Sequence, residues 1–283
     1  MLFRSVTGYK GSGWTNRQAN GYYQYGVNGS LSKLSGHHSY KFGGDYRVLG
    51  VKSLNYGAST GSFTFDGKWS GNALADLLLG YPTSGNIPLN GQLNGFVHYS
   101  AGYAQDDWRV NDKLTLNYGV RFESETGLAE RTNQLTVDFN KTVVNPLNAS
   151  VNVIDPVTGA RRDILGGLVF AGVNGANTQQ GNQPAVKIAP RVGGVYSISD
   201  KTVLRAGWGL YYAPWVYPSA GTNSWGQYGF AATTDVPQST GTVPTVSLNN
   251  PFPAGLVKPS GSSLGYLTGV GGTIQYVDPT KGA

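Results

Sequence analysis

Residues 113–123 read KLTLNYGVRFE, in which Leu114, Leu116, Tyr118, Val120 and Phe122 alternate without a break with Thr115, Asn117, Gly119, Arg121 and Glu123. A period of two over this length is a β-strand with one apolar face and one polar face. Such a face must be covered, by a second sheet in a sandwich or by lipid in a membrane barrel. The same pattern recurs beside short polar turns. GYYQYGVNGSLSKL (21–34) and SYKFGGDYRVLG (39–50) flank the turn SGHH, and in the second Tyr40, Phe42, Gly44, Tyr46 and Val48 alternate with Lys41, Gly43, Asp45 and Arg47. GFVHYSAGYAQDDWRV (95–110) turns through Asn111 and Asp112 into the strand first quoted. VKIAPRVGGVYSI (186–198) turns through Ser199 and Asp200 into KTVLRAGWGLYY (201–212), where Leu204, Ala206, Trp208, Leu210 and Tyr212 oppose Val203, Arg205, Gly207, Gly209 and Tyr211. These last two hairpins form a weak internal repeat, VNDKLTLNYGVRF against ISDKTVLRAGWGL. One parity is irregular. Val97, Tyr99, Ala101 and Tyr103 form an apolar set, but Trp108 falls on the opposite parity, which predicts a bulge near Gln105.

Three hairpins, near 21–50, 95–124 and 186–212, are thus separated by long connections at 51–93, 125–185 and 213–283, rich in Gly, Pro, Asn, Ser and Thr. Structureless connections of this length are uncommon in compact domains. Every short turn joins a descending strand to an ascending one, so the short turns share one rim and the long loops the other. That asymmetry is the mark of a bacterial outer-membrane barrel. The apolar face then meets lipid. Lys41, Asp45, Arg47, Asn117, Arg121, Glu123, Lys187, Arg191 and Arg205 face the lumen. Within the connections, SFTFDG (62–67) predicts a short strand and GNALADLLLG (71–80) a helix, with Asn72 as N-cap, Gly80 as stop and leucines packed on neighbouring loops. Residues 213–283, which contain Pro214, Pro218, Pro237, Pro244, Pro251, Pro253 and Pro259, are expected to be mostly irregular on the extracellular rim.

Composition supports an all-β chain. Charged residues are only 13%, about half the usual share, while 42 glycines and 18 tyrosines far exceed it. There is no Cys, which leaves neither a disulfide framework nor a thiol metal site. The formal charge of +6 is spread over loops and one strand face rather than gathered in a basic block, so a nucleic-acid partner is not expected. No run approaches the ~18 apolar residues of a membrane helix. MLFRSVTGYKGSG has no apolar signal-peptide core. Taken alone that reads as cytosolic; alternatively the chain is an internal piece of an exported protein.

No catalytic constellation stands out, and the chain is not expected to be an enzyme or to hold a cofactor or metal. His37 and His38 sit at a turn that solvent should reach. His98 is the third histidine. Asp106 and Asp107, beside Arg109, are expected to hydrogen-bond and to pair with basic residues in the lumen. Gly207 and Gly209 lie inside a strand rather than before a helix, which excludes a phosphate loop.

FGGDYR (42–47), GNALADLLLG (71–80), YAQDDWRVNDKLTLNYGVRFE (103–123), APRVGGVYSISDKTVLRAGWGLYYAP (189–214) and NPFP (250–253) resemble the β-barrel of TonB-dependent outer-membrane receptors, in particular the Oar-like group. The resemblance covers most of 20–283. It implies an all-β fold for residues 1–283: an antiparallel segment of a large transmembrane β-barrel, about six to eight strands and open in this stretch, with long extracellular loops and one short helix. It further implies the bacterial outer membrane as location, lipid as neighbour, and energised uptake or translocation of an unknown ligand. The TonB complex would be reached through a plug region. Plug, TonB box and signal peptide are missing from the residues in hand, so the chain is expected to be an internal barrel segment. A surface or secreted β-rich adhesin that binds carbohydrate through its aromatics, and a passive porin, are the competing expectations.

Overall fold

The computed structural model describes residues 3–11, 17–213, 227–272, 274, 276 and 278–280. In chain order its strands are β1 (Phe3–Val6), β2 (Arg17–Ser35), β3 (His38–Gly57), β4 (Ser62–Phe65), β5 (Ser84–Leu89), β6 (Leu93–Arg109), β7 (Leu114–Glu125) and β8 (Leu128–Glu130). There follow β9 (Thr136–Val144), β10 (Val153–Ile154), β11 (Arg161–Arg162), β12 (Leu165–Phe170), β13 (Gln179–Gln180), β14 (Lys187–Ser199), β15 (Thr202–Gly209) and β16 (Ala232–Asp235). The α-helix α1 spans Ala73–Leu79.

Six long strands build a half-barrel wall in the order β2-β3-β6-β7-β14-β15, each antiparallel to the next. Neighbours in sequence are neighbours in space because short turns close the hairpins. Ser35 pairs with His38 across Gly36 and His37, and Gly36 takes φ 60°, which a two-residue hairpin loop requires and glycine adopts without strain. At the next turn the Asn111 side chain accepts hydrogen bonds from the Lys113 and Leu114 amides, both at 2.9 Å. β2 and β3 run to 19 and 20 residues, about twice the ~9–11 that a tilted strand needs to cross a bilayer. Their upper parts therefore project past the hydrocarbon on the long-loop side, and the 51–93 connection is shorter at both ends than its composition suggested.

Register assigns every side chain to a face, because directly opposed residues point the same way. Leu116 opposes Trp108 and Gly194; Tyr118 opposes Asp106 and Val192; Phe122 opposes Gly102 and Ile188. The β3–β6 and β6–β7 ladders run through Gln105 without a shift, so the expected bulge is absent. Trp108 has the parity of the lipid face. The set that departs is Val97, Tyr99, Ala101 and Tyr103, which shares the lumenal face with Arg121. Those residues are apolar yet point inward because their upper members pack under a loop and their tyrosines stack on arginines.

The outer face decides between the two covers that an apolar strand face can have. Leu31, Phe42, Tyr118, Phe122, Val192, Leu204 and Trp208 lie on it, and all are 43–70% exposed. Among the described residues no sheet packs there, as a sandwich would require, so the cover is lipid.

Buried apolar clusters form instead at the long-loop end. Leu49, Val51, Leu93, Val97 and Tyr99, on the lumenal side of upper β3 and β6, pack against Leu128, Leu135, Val137 and Ala171 of the 126–186 connection. That connection thus folds inward. A second cluster, Val6, Phe63, Phe65, Val236 and Val246, holds a small sheet ordered β1-β4-β5-β16. β4 is the strand expected at 62–67. Asn72 caps α1 by accepting from the Leu74 amide (2.9 Å) and the Ala75 amide (3.2 Å), and Gly80 stops it at φ 75°. Leu77 packs on the second cluster, whereas Leu78 and Leu79 stay exposed. Within 213–283 the described residues form β16 and a 3-10 turn at Gly265–Leu267 and are otherwise irregular, while Pro214 and Pro218 lie outside the described residues.

Asp76 ties the helix to its loop. It is fully buried and accepts from the Ser70 hydroxyl (2.6 Å), the Ser70 amide (2.8 Å) and the Trp69 amide (3.2 Å). Burial pushes its pKa up, but the Ser70 hydroxyl and then the two amides outweigh this and hold it below the usual carboxylate range. A depressed carboxylate stabilises the fold above its unfolded pKa of ~3.9 and loses that contribution as pH falls through its folded value. Hydrogen-exchange protection factors over residues 69–76 should therefore drop on acidification below about pH 4, and Asp76→Asn should lower them at neutral pH and remove that acid dependence.

The face assignment is tested by charge. In the membrane-inserted protein Val120→Arg, on the lipid face, should destabilise by ~2–4 kcal/mol if it lies near the midplane, whereas Asn117→Arg, on the lumenal face, should be almost silent. Equal losses in urea unfolding from lipid vesicles would exclude this orientation.

Candidate functional site on the lumenal face

The lumenal face is a lattice of polar side chains whose rows follow from register. Asp45, Ala101, Glu123 and Lys187 form one row; Gly43, Tyr103, Arg121 and Ala189 form the next. Lys41, Gln105, Gly119, Arg191 and Gly209 form a third.

Arg121 is the hub. It donates to Asp45 Oδ2, to Glu123 Oε1 at 2.8 Å and to the Tyr99 hydroxyl at 3.1 Å. Its guanidinium also lies 5.9 Å from the ring centres of Tyr99 and Tyr103. Arg47 pairs with Asp45 at 3.0 Å and lies 5.6 Å from the Tyr99 ring centre. Arg191 donates to Gln105 at 2.9 Å and lies 5.9 Å from Tyr103. Arg47, Tyr99, Arg121, Tyr103 and Arg191 therefore alternate cation and ring diagonally across four strands. Each contact of this kind contributes roughly 0.5–2 kcal/mol. Lys187 joins at the upper end, 3.4 Å from Glu125 and 5.8 Å from the Tyr212 ring. Asn117 donates to Asp107 at 2.6 Å. Lys41 and Arg205, also expected on this face, are there by register but make no ion pair among the described residues.

Glycine makes the tyrosines fit. A Cβ at Gly43 would come within 2.6 Å of the Tyr103 ring, which folds across its directly opposed partner. On the outer face a Cβ at Gly50 would run into the Tyr23 ring, again its opposed residue. At these two positions a ring laid over a bare backbone protects a strand that glycine alone would weaken.

The acidic pair is split. Asp107 faces the lumen as expected. Asp106 does not: opposed to Tyr118, it is buried on the outer face, where the Tyr118 hydroxyl donates to it at 2.7 Å and His38 Nδ1 lies 2.6 Å away. His38 is accordingly no free turn residue, and its ring stacks on Trp108 at 5.3 Å. His98 contacts the Tyr46 hydroxyl through Nδ1. Among the described residues no group of three or more His, Asp or Glu is placed to hold a metal ion, and no helix is long and apolar enough to cross a membrane. The lattice pairs Arg47, Arg121 and Lys187 with Asp45, Glu123 and Glu125 within the wall, so its chemistry is that of a hydrated, polar lining.

A bare apolar outer face, a paired polar inner face, short turns on one rim and folded loops on the other describe a barrel wall, and a family model described as outer membrane beta barrel domain matches residues 3–282. The chain belongs to this family. No curated protein and no solved structure matches it. This outer-membrane barrel wall is accordingly placed in the bacterial outer membrane. Tyr99 and Tyr103 were misplaced by sequence reasoning because their barrel face depends on how four residues at 110–113 turn. Counting back from Leu116 through the observed pairing is the signal that places them.

Removing the hub should expose the charges that it balances. Arg121→Met should destabilise the barrel by roughly 1–3 kcal/mol, less than the ~3–5 of a fully buried pair because 21% of the arginine side chain stays exposed. Adding Asp45→Asn and Glu123→Gln to that variant should recover part of the loss. Urea unfolding in detergent measures both, and no loss in the single variant would mean that the pairs contribute nothing.

Proposed function

We propose that this barrel wall belongs to a TonB-dependent receptor, which takes up or translocates a ligand with energy supplied from the TonB complex. The observation that carries the reading is the lumenal lattice: a charge-paired surface four strands wide, on a six-strand wall that is still open at β2 and β15 among the described residues. Small barrels of about eight strands fill their interior with side chains, whereas plugged transporters of about 22 strands enclose a wide lumen. Here Arg47, Arg121 and Lys187 find their carboxylate partners within the wall, which suits a lumen occupied by water or by a separate plug. The motifs of residues 42–47, 71–80, 103–123 and 189–214, with their resemblance to Oar-like receptors, support the same reading. The exposed outer face argues against a soluble adhesin, since such an apolar surface in water would aggregate.

Energised, plugged transport and passive diffusion differ in a direct way. The intact protein that carries this wall, reconstituted in planar bilayers, should show no steady conductance, and it should be retained by the immobilised periplasmic domain of TonB. Steady conductance without retention would make it a passive porin instead.

A further inference from the structure

The loop layer holds a cleft that the wall does not explain. It lies on the long-loop side, between the β9/β12 hairpin, the 173–182 segment and the 263–266 turn, and has a volume of about 670 Å³. That is within the ~300–1,000 Å³ of small-molecule sites. Its lining is unusual in kind. Asn140, Asn174, Asn177, Gln179 and Asn182 bring five side-chain amides to it, Asn177 with its oxygen on the Gln179 amide, and Asp138 is the one charged residue among the described residues that line it. The side-chain amides of Asn174, Gln179 and Asn182 make no hydrogen bond among the described residues, and Asn140 uses only its oxygen, on the Thr142 and Val143 segment. Each free amide offers two donors and an acceptor with two lone pairs.

One ring is held rigidly at the cleft. Tyr266 lies against the bare backbone of Gly167, where a Cβ would come within 2.5 Å, and its carbonyl accepts from the buried Asn145 side chain at 3.2 Å. Phe170, also in the lining, is buried and set edge-on to Phe230 at 6.1 Å. Asn174 holds a left-handed conformation, φ 52° and ψ 35°, which few non-glycine residues adopt and asparagine tolerates best.

We propose that this cleft binds a neutral, polyhydroxylated ligand, a stretch of oligosaccharide. An anionic ligand would find no Lys or Arg among the described residues of the lining. A wholly apolar one would strip water from these amides and return no hydrogen bond, at the cost that unpaired polar groups carry. Hydroxyl groups both donate and accept, as the amides do, and the C–H face of a sugar ring suits the flat, fixed surface of Tyr266. Binding here is an equilibrium property and needs no energised uptake, so this site and the TonB-dependent reading stand or fall separately.

The test is calorimetric titration of the intact detergent-solubilised protein with maltohexaose, cellohexaose and chitohexaose, and with hexagalacturonate and ferric citrate as anionic probes. At least one neutral probe should bind, and neither anionic probe should bind more tightly. Asn174→Gly/Gln179→Ala/Asn182→Ala should weaken that binding at least about tenfold with unchanged thermal unfolding; glycine keeps the left-handed backbone at 174. Tyr266→Phe should bind as the parent does, and Tyr266→Ala should not. Absence of binding by all three neutral probes, preference for an anionic probe, or unchanged affinity in the folded triple variant would each overturn the proposal.

Discussion

Inside hydrocarbon a backbone N–H or C=O has no water to turn to, and each one left unpaired costs several kcal/mol. The wall is organised by that requirement. β2 and β3 pair along nearly their whole length, and β3–β6, β6–β7 and β14–β7 continue the ladder without interruption. A bulge would leave a residue unpaired within this stretch, and the apolar set Val97, Tyr99, Ala101 and Tyr103 turns inward without one. An unbroken ladder fixes register, and register at a period of two fixes which face each side chain takes. The lipid-facing apolar surface and the lumenal ion pairs are both consequences of that one constraint.

The two faces solve different problems with the same pair of residue types. Outward, Tyr23 covers Gly50, and the tyrosines and Trp208 present rings to the membrane. Inward, Tyr103 covers Gly43 and lies between two guanidinium groups. Stacked in this way, Arg121 and Arg191 keep their planar donors in the wall instead of reaching across the lumen. Part of the positive charge on this face is balanced locally, Arg47, Arg121 and Lys187 by Asp45, Glu123 and Glu125.

Above the membrane the rules revert to those of soluble proteins. Apolar side chains gather in buried clusters, a helix is capped at both ends, and a buried carboxylate is satisfied by three donors. The 126–186 connection packs on the inner side of upper β3 and β6, which narrows the entrance from that side. Barrel wall and loop layer are thus built by one chain under two solvents, and the change occurs along single strands: the inward face of β3 carries Lys41 and Asp45 lower down and the buried Leu49 and Val51 above.

The sequence alone settled the strands, their short turns and the sidedness of most of the wall, because an alternation as strict as Leu114 to Glu123 is a local property that one strand can display unaided. Asn72, Gly80 and the 62–65 strand were legible for the same reason. The lumenal charges Asp45, Arg121, Glu123 and Arg191 could be assigned to a face, but not to one another. Pairing depends on register between strands, and the hub role of Arg121 needs Asp45 from β3, far away in sequence. Asp106 and Asp107 were adjacent and looked alike; opposition to Tyr118 and Asn117 sent them to opposite sides of the wall. The loop layer was the least legible, since its order comes from clusters such as Val6 with Val236 and Leu49 with Leu135, which no periodicity announces. Local pattern determines the face of a strand; only the tertiary structure decides what meets it there, because contact between distant residues is fixed by the backbone ladder that joins them and not by either segment alone.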